Sequence, residues 1–186
     1  MISYTYNKTA FTKTQTFILE DNTIKVSDES KHLIDTVSID TITSISLVHT
    51  PIKTARKMHQ CTIKTIDGRK IILRNYSFVG FANFKNQTDN YLKFILDLHE
   101  KTKTKPIQFK KGINKTGFVL LTGFMLLMTV LMAVIVYMLF NKGKYGEMTI
   151  SGIAFLLFVF LTITSIARFK PEKYNPNNIP KHLLPN

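Results

Sequence analysis

Residues 117–140 read GFVLLTGFMLLMTVLMAVIVYMLF and residues 148–167 read MTISGIAFLLFVFLTITSIA, 24 and 20 consecutive positions without a charge. At 1.5 Å per residue they make helices of about 36 and 30 Å, enough to cross a hydrocarbon core of roughly 30 Å. A helix in a soluble core normally keeps a polar stripe, and neither segment has room for one. The connector, Asn141 to Glu147, is seven residues long with two glycines, so the two spans are expected to pack as an antiparallel hairpin.

The flanks set an expected orientation. Lys101, Lys103, Lys105, Lys110, Lys111 and Lys115 precede the first span with no acidic residue among them, and Arg168, Lys170, Lys173 and Lys181 follow the second against Glu172 alone. Lysine and arginine near span ends stay on the cytoplasmic side, which predicts cytoplasmic flanks and an outward turn, with Lys142 and Lys144 opposing weakly. No Asp, Glu, Lys, Arg or His lies inside either span, so the hairpin reads as an anchor rather than an ion or proton pathway. Met125, Met128, Met132 and Met138 read as packing residues.

Net charge is +13, unevenly placed: residues 1–100 carry 13 Lys+Arg against 10 Asp+Glu, and residues 101–186 carry 12 against 2. Most of the excess therefore lies beside the spans, where each basic residue near an anionic leaflet contributes about 1 kcal/mol. This points to lipid headgroups as partner and away from nucleic acid. The single cysteine, Cys61, excludes an intramolecular disulfide framework and fits a reducing compartment. The opening MISYTYNKTAFTK has no apolar run of signal-peptide type, so no cleaved signal is expected.

The first hundred residues read as short strands. Ile2, Tyr4 and Tyr6 alternate with polar residues; Phe17 and Leu19 face Ile24 and Val26 across Glu20-Asp21-Asn22; Leu33, Val37 and Ile39 share a face. From Ile39 to Leu47 the apolar spacing breaks, predicting a turn or bulge before a strand at 45–49. Around Asp67-Gly68-Arg69 a three-residue loop is expected to set Ile63 opposite Leu73. Thr88 or Asp89 is expected to cap a helix whose Tyr91, Phe94, Ile95 and Leu98 recur at helical spacing.

Three stretches, SIDTITSISLVH, CTIKTIDGRKIILRN and DNYLKFILDLH, resemble in order the central strand, the Asp-Gly hairpin and the closing helix of a bacterial pleckstrin-homology-like (PH-like) module. The resemblance implies an α+β chain: a small antiparallel PH-like barrel or sandwich over residues 1–101, capped by one C-terminal helix. A basic juxtamembrane linker would follow over 102–115, then a transmembrane hairpin over 116–168, then a proline-rich tail over 169–186. The bacterial resemblance implies an inner or plasma membrane, and the lysine and arginine flanks of the spans predict that both termini are cytoplasmic. The basic cluster that phosphoinositide-binding members carry in their first hairpin is replaced here by Glu20-Asp21-Asn22. The tail, with Pro171, Pro176, Pro180 and Pro185, is either disordered or folded back with Ile179, Leu183 and Leu184 on an apolar groove.

No chemistry-bearing motif stands out. His32, His49, His59, His99 and His182 have no partner at metal-ligand spacing, Cys61 falls on an inward strand face, and no phosphate-binding loop or nucleophile turn occurs. Catalytic, cofactor and metal sites are therefore all expected to be absent. Two candidate surfaces remain. Lys53, Arg56, Lys57 and His59 form either a solvated loop or an anion- or lipid-binding one. Phe78, Phe81 and Phe84 are either core residues or an exposed contact for the membrane interface or a protein partner. The expected function is a non-catalytic, membrane-anchored binding or scaffolding protein with lipid headgroups and a protein partner. The alternative is a toxin-immunity protein or a membrane-disrupting defence effector with a ligand-sensing barrel.

Overall fold

The computed structural model describes residues 2–7, 12, 14–51, 57–80 and 83–185. The chain divides into two compact units, Met1–Lys111 with Glu172–Asn186, and Gly112–Pro171.

The first unit is α+β. Strands β1 (Ile2–Tyr6), β2 (Gln15–Leu19), β3 (Thr23–Ser27) and β4 (Leu33–Ser38) form an antiparallel meander. A 3-10 turn at Ile39–Thr41 then leads into β5 (Ile42–Pro51), β6 (Lys57–Thr65) and β7 (Lys70–Arg74), also antiparallel. The broken spacing after Ile39 is thus this turn plus a register shift between Ile42 and Ser44. A hairpin of β8 (Tyr76–Gly80) and β9 (Asn83–Asn86) precedes α1 (Thr88–Thr102). Inward residues of both sheets, among them Tyr4, Leu19, Ile24, Ile45 and Ile63, share one apolar core with Tyr91, Phe94, Ile95 and Leu98 of α1.

Several expectations change. The ladders form two sheets plus the β8–β9 hairpin and do not close into a barrel. Near β4 and β7 an opening of about 220 Å³ is lined by Phe17, Val26, Ile34 and Ile71, and an Arg69–Asp35 ion pair at 2.6 Å joins their ends. Leu33 does not share the face of Val37: a shift between Val26 and Ser27 turns it out, 61 % exposed. Ile63 pairs with Ile71, and Cys61 with Leu73. The three-residue loop begins one position earlier than expected, because the Thr65 N–H bonds the Arg69 carbonyl and Gly68, at φ +83°, takes the left-handed position. Helix α1 starts at Thr88, whose N–H donates to the Asn86 side chain, so neither Thr88 nor Asp89 is the cap.

Residues 102–115 are not a free linker. α1 runs to Thr102, and β10 (Gln108–Lys111) pairs parallel to β5, with Phe109 buried beside Ile45 in register. β11 (Glu172–Lys173) then pairs antiparallel to β10. β10 thus covers the outer edge of β5 from Ser44 to Leu47, which would otherwise offer unpaired backbone groups, and β11 covers the edge of β10 in turn. The tail is the folded-back form: Leu183 is buried in the core, with Tyr174, Ile179 and Leu184 packed against it.

The second unit holds α2 (Lys115–Asn141) and α3 (Tyr145–Phe169), two helices long and apolar enough to cross a membrane. Asn114 caps α2 by accepting from the Gly117 N–H. The half-buried positions 118, 121, 125, 128, 132, 136 and 139 of α2 recur every three or four residues and mark its seam with α3, so three of the four methionines pack there. Thr162 is buried at the seam beside Met125, 3.6 Å from its sulfur.

Candidate functional site

The candidate surfaces in the first unit depend on where the chain leaves it. β10 runs parallel to β5 and ends with Lys111 level with Leu47, while β11 re-enters with Glu172 level with Lys111. β5 continues past that level to Pro51 and β6 begins at Lys57. Lys53 and Arg56 lie outside the described residues. The backbone of Lys57 lies in β6, opposite Pro51.

His59, grouped with those cations in the sequence, is buried and is not an exposed anion ligand. It lies on the same strand face as Cys61 and Ile63, all three fully or nearly fully buried. Its Nδ1 is 3.0 Å from the Leu183 carbonyl and its N–H donates to Asn75 at 2.8 Å. Its ring lies 4.6 Å from that of His49, whose Nδ1 is 3.1 Å from the His182 carbonyl. A carbonyl only accepts, so both imidazoles carry the proton on Nδ1.

The six lysines of residues 101–115 are largely engaged. Lys101 donates to the Glu20 carbonyl at 3.0 Å, Lys103 pairs with Glu100 at 2.5 Å, and Lys111 pairs with Glu172 at 2.8 Å. Lys105 reaches Asp40 at 2.5 Å and Asn22 at 2.7 Å, and the Lys105 hydrogen bond followed by the Asn22 one holds the Asp40 carboxyl below its usual range. Lys110 stands opposite Lys173 in the β10–β11 pair, and Lys115 is exposed at the start of α2. Lys101 and Lys105 thus bind the β2–β3 turn and the 3-10 turn and Lys103 pairs with Glu100 of α1, while Lys110 and Lys173 bring two cations together in the β10–β11 pair.

Phe78 and Phe84 are cross-strand partners in β8–β9, ring centroids 5.7 Å apart and edge to face. Phe78 is half-buried, Phe84 is 42 % exposed, and Val79 between them and the tip is 60 % exposed. None of the three belongs to the core. Phe81 lies outside the described residues.

The feature that sequence reasoning missed is the histidine clasp on the C-terminal segment. His99, on the buried face of α1, donates through Nδ1 to the Ile95 carbonyl at 2.7 Å, leaving Nε2 to accept from the Tyr174 hydroxyl at 2.6 Å. Phe109 packs against both rings. Burial pushes the His99 imidazole below its ordinary value and the Tyr174 phenol above its own. His49, His59 and His99 thus hold residues 182, 183 and 174. One signal was legible: His99 follows Ile95 by four residues, on the stripe that faces the core. Beside the clasp lies an open groove of about 700 Å³ between α1 and the tail, lined by Leu96, Asp97, Glu100, Lys103, Asn177 and Ile179.

Among the described residues, no group of three or more His, Cys, Asp or Glu side chains is placed to hold a metal ion. No protein-family model matches this chain, and no curated protein and no solved structure matches it either.

Proposed function

We propose that this chain is a PH-like binding or scaffolding module, non-catalytic, anchored by α2 and α3 in a bacterial inner or plasma membrane with its folded domain on the cytoplasmic side. The observation that carries the reading is the charge at the two ends of the helical hairpin. The open end is flanked by Lys110, Lys111 and Lys115 on one arm and Arg168, Lys170 and Lys173 on the other. The turn end has Lys142 and Lys144, the latter paired with Glu147 at 2.9 Å. This asymmetry supports a cytoplasmic open end. A four-stranded meander, three further antiparallel strands and a helix that closes the core support the PH-like reading of the first unit. In the sequence Lys53 and Arg56 fall between the β5 and β6 segments and Lys57 opens β6; this run of three cations supports anionic headgroups as their ligand.

The test is topology in intact cells. Reporter fusions placed after Asn186 and between Gly143 and Lys144 should report cytoplasmic and external locations respectively. An external C-terminal fusion sinks the orientation, and extraction of the protein by alkaline carbonate sinks the anchor.

A further inference from the structure

The β8–β9 hairpin presents apolar surface that the fold does not use. A two-stranded hairpin is marginal by itself in water, and this one is tied down at its base and along one strand: Gln87 N–H to the Asn75 carbonyl, Phe78 N–H to the Asn7 carbonyl, and Asn7 N–H to Ser77 Oγ. Beyond those ties Val79 and Phe84 are exposed. Val79 falls at a register shift and has no cross-strand partner residue, and every residue of β9, Phe84 and Lys85 included, is exposed.

The surrounding charge indicates what covers it. Residues 68–88 contain Arg69, Lys70, Arg74 and Lys85 and no carboxylate. Arg69 is held by Asp35 and Asp67, Arg74 by Gln60, and Lys70 belongs to β7; Lys85 is the exposed cation that follows Phe84 directly in β9. Phenylalanine next to lysine, without acid, is the composition of segments that lie in a lipid interface, where the ring enters the acyl boundary and the ammonium stays with the headgroups. Only residues 112–114 separate β10 from α2, and only Lys170 and Pro171 separate α3 from β11. A domain tethered that closely meets a bilayer surface at high effective concentration.

We propose that the β8–β9 hairpin, through Val79, Phe84 and Lys85, docks into the anionic lipid interface of the membrane that α2 and α3 cross. This rests on reading those helices as membrane spans. The test uses full-length protein reconstituted in phosphatidylglycerol-containing vesicles, with single cysteines introduced as Val79→Cys or Phe84→Cys and labelled with an environment-sensitive fluorophore. The native Cys61 is buried in the core and stays unlabelled. Ile66→Cys, at the exposed β6–β7 turn, is the control.

Probes at 79 and 84 should show blue-shifted emission and lose intensity to spin-labelled lipid, and the probe at 66 should not. Lys85→Glu, or exchange of the anionic lipid for a zwitterionic one, should reduce the quenching at 79. Equal quenching at 66, 79 and 84 overturns the proposal. So does a probe at 79 that is shielded in native membranes and unquenched in pure lipid, because a protein then covers the hairpin. Carbonate-resistant flotation of the same samples reports the spans separately, so failure of the anchor is distinguishable from failure of the hairpin contact.

Discussion

The imidazole of His99 and the phenol of Tyr174, 75 positions apart, meet at 2.6 Å and join the closing helix to the chain that re-enters the domain. With Nδ1–H given to the Ile95 carbonyl, the neutral ring has only Nε2 with which to accept the phenol proton. Protonation of His99 makes both nitrogens donors. The groups around the ring do little to offset this: Phe109 and Tyr174 pack on it, and Glu100 and Lys103 lie on the open groove, paired with each other. Because burial lowers the folded-state value below the ordinary 6.5, the unfolded chain binds the proton first as pH falls. Stability is therefore full above about pH 7 and declines as pH drops below about 6.5, levelling off below the folded-state value. Asp40 and Asp67, held below their usual range, lose their contribution only in the carboxylate range, further down. Thermal melts of the detergent-solubilised protein should show the upper decline, and His99→Phe should remove it. An unchanged pH profile in His99→Phe rejects the assignment. Tyr174→Phe should cost about 1 kcal/mol at pH 8, the size of one net hydrogen bond.

Leu183 is the apolar end of the same clasp, 4 % exposed, with its carbonyl on His59 Nδ1. Leu183→Ala removes buried methyl groups and leaves a cavity at a site where the tail can partly relax, so the cost should sit toward the low end of the range for such changes, about 2–3 kcal/mol. Limited proteolysis separates local release from global loss. The variant should be cut early within residues 175–185, while the β1–β7 region stays resistant at the same protease dose. Simultaneous loss of both signals means that the tail and the sheets unfold as one cooperative unit.

Tyr4 and Tyr6 lie on adjacent inward positions of β1, their rings stacked at 5.8 Å, and their hydroxyls donate to the Arg74 and Ile72 carbonyls of β7. The edge strand of one sheet is thus tied to the edge strand of the other through side chains instead of ladder bonds. Burial pushes the Tyr6 phenol up to about 12, so the folded state holds its proton longer than the unfolded chain does. The Tyr6 share of the stability should fall as pH rises above about 10 and level off near 12. Tyr6→Phe should cost about 1 kcal/mol at neutral pH and flatten part of the alkaline decline, leaving the share of Tyr4, Tyr91 and Tyr174. An alkaline unfolding curve identical to that of the parent chain contradicts this role.

Period and composition made the strands, the closing helix and the two long apolar helices legible, because each depends on residues near one another in sequence. Tyr4, Tyr6, Phe17, Leu19, Ile24 and Val26 alternate because one face of each strand is buried, and Tyr91, Phe94, Ile95 and Leu98 recur because one face of α1 is. What stayed hidden depends on partners far away in the chain. Residues 108–111 carry only one strongly buried residue, Phe109, so nothing local announced a strand whose stability comes from the β5 edge 64 positions earlier. His59 read as part of a basic loop because its neighbours 53, 56 and 57 are cationic, whereas its place on the Cys61 face decides its burial. The lysines at 101, 103, 105 and 111 read as free charge because their acceptors, on Glu20, Glu100, Asp40 and Glu172, come mostly from other segments.

Two glycines of the helical unit give a graded test of its geometry. Gly143 ends α2 at φ +68° as the residue after the cap, with its N–H on the Phe140 carbonyl and the next N–H on Leu139, and a Cβ there would meet nothing within 4 Å. Gly143→Ala should therefore cost only the left-handed penalty, about 1–2 kcal/mol, and Gly143→Asn less, since asparagine tolerates that conformation. Gly112, at φ +80°, lies against the chain leaving α3: a Cβ would stand 2.3 Å from the Lys170 carbonyl oxygen and 2.6 Å from that of Phe169. Both obstacles are backbone, and the Ile113 N–H to Phe169 carbonyl bond at 3.2 Å depends on the same approach. Gly112→Ala must either part the two arms of the hairpin or twist the backbone at 112, so it should cost more than Gly143→Ala by several kcal/mol, in the manner of overpacked sites. Thermal melts of the two variants in the same detergent decide the matter, and equal midpoints contradict the close approach at Gly112.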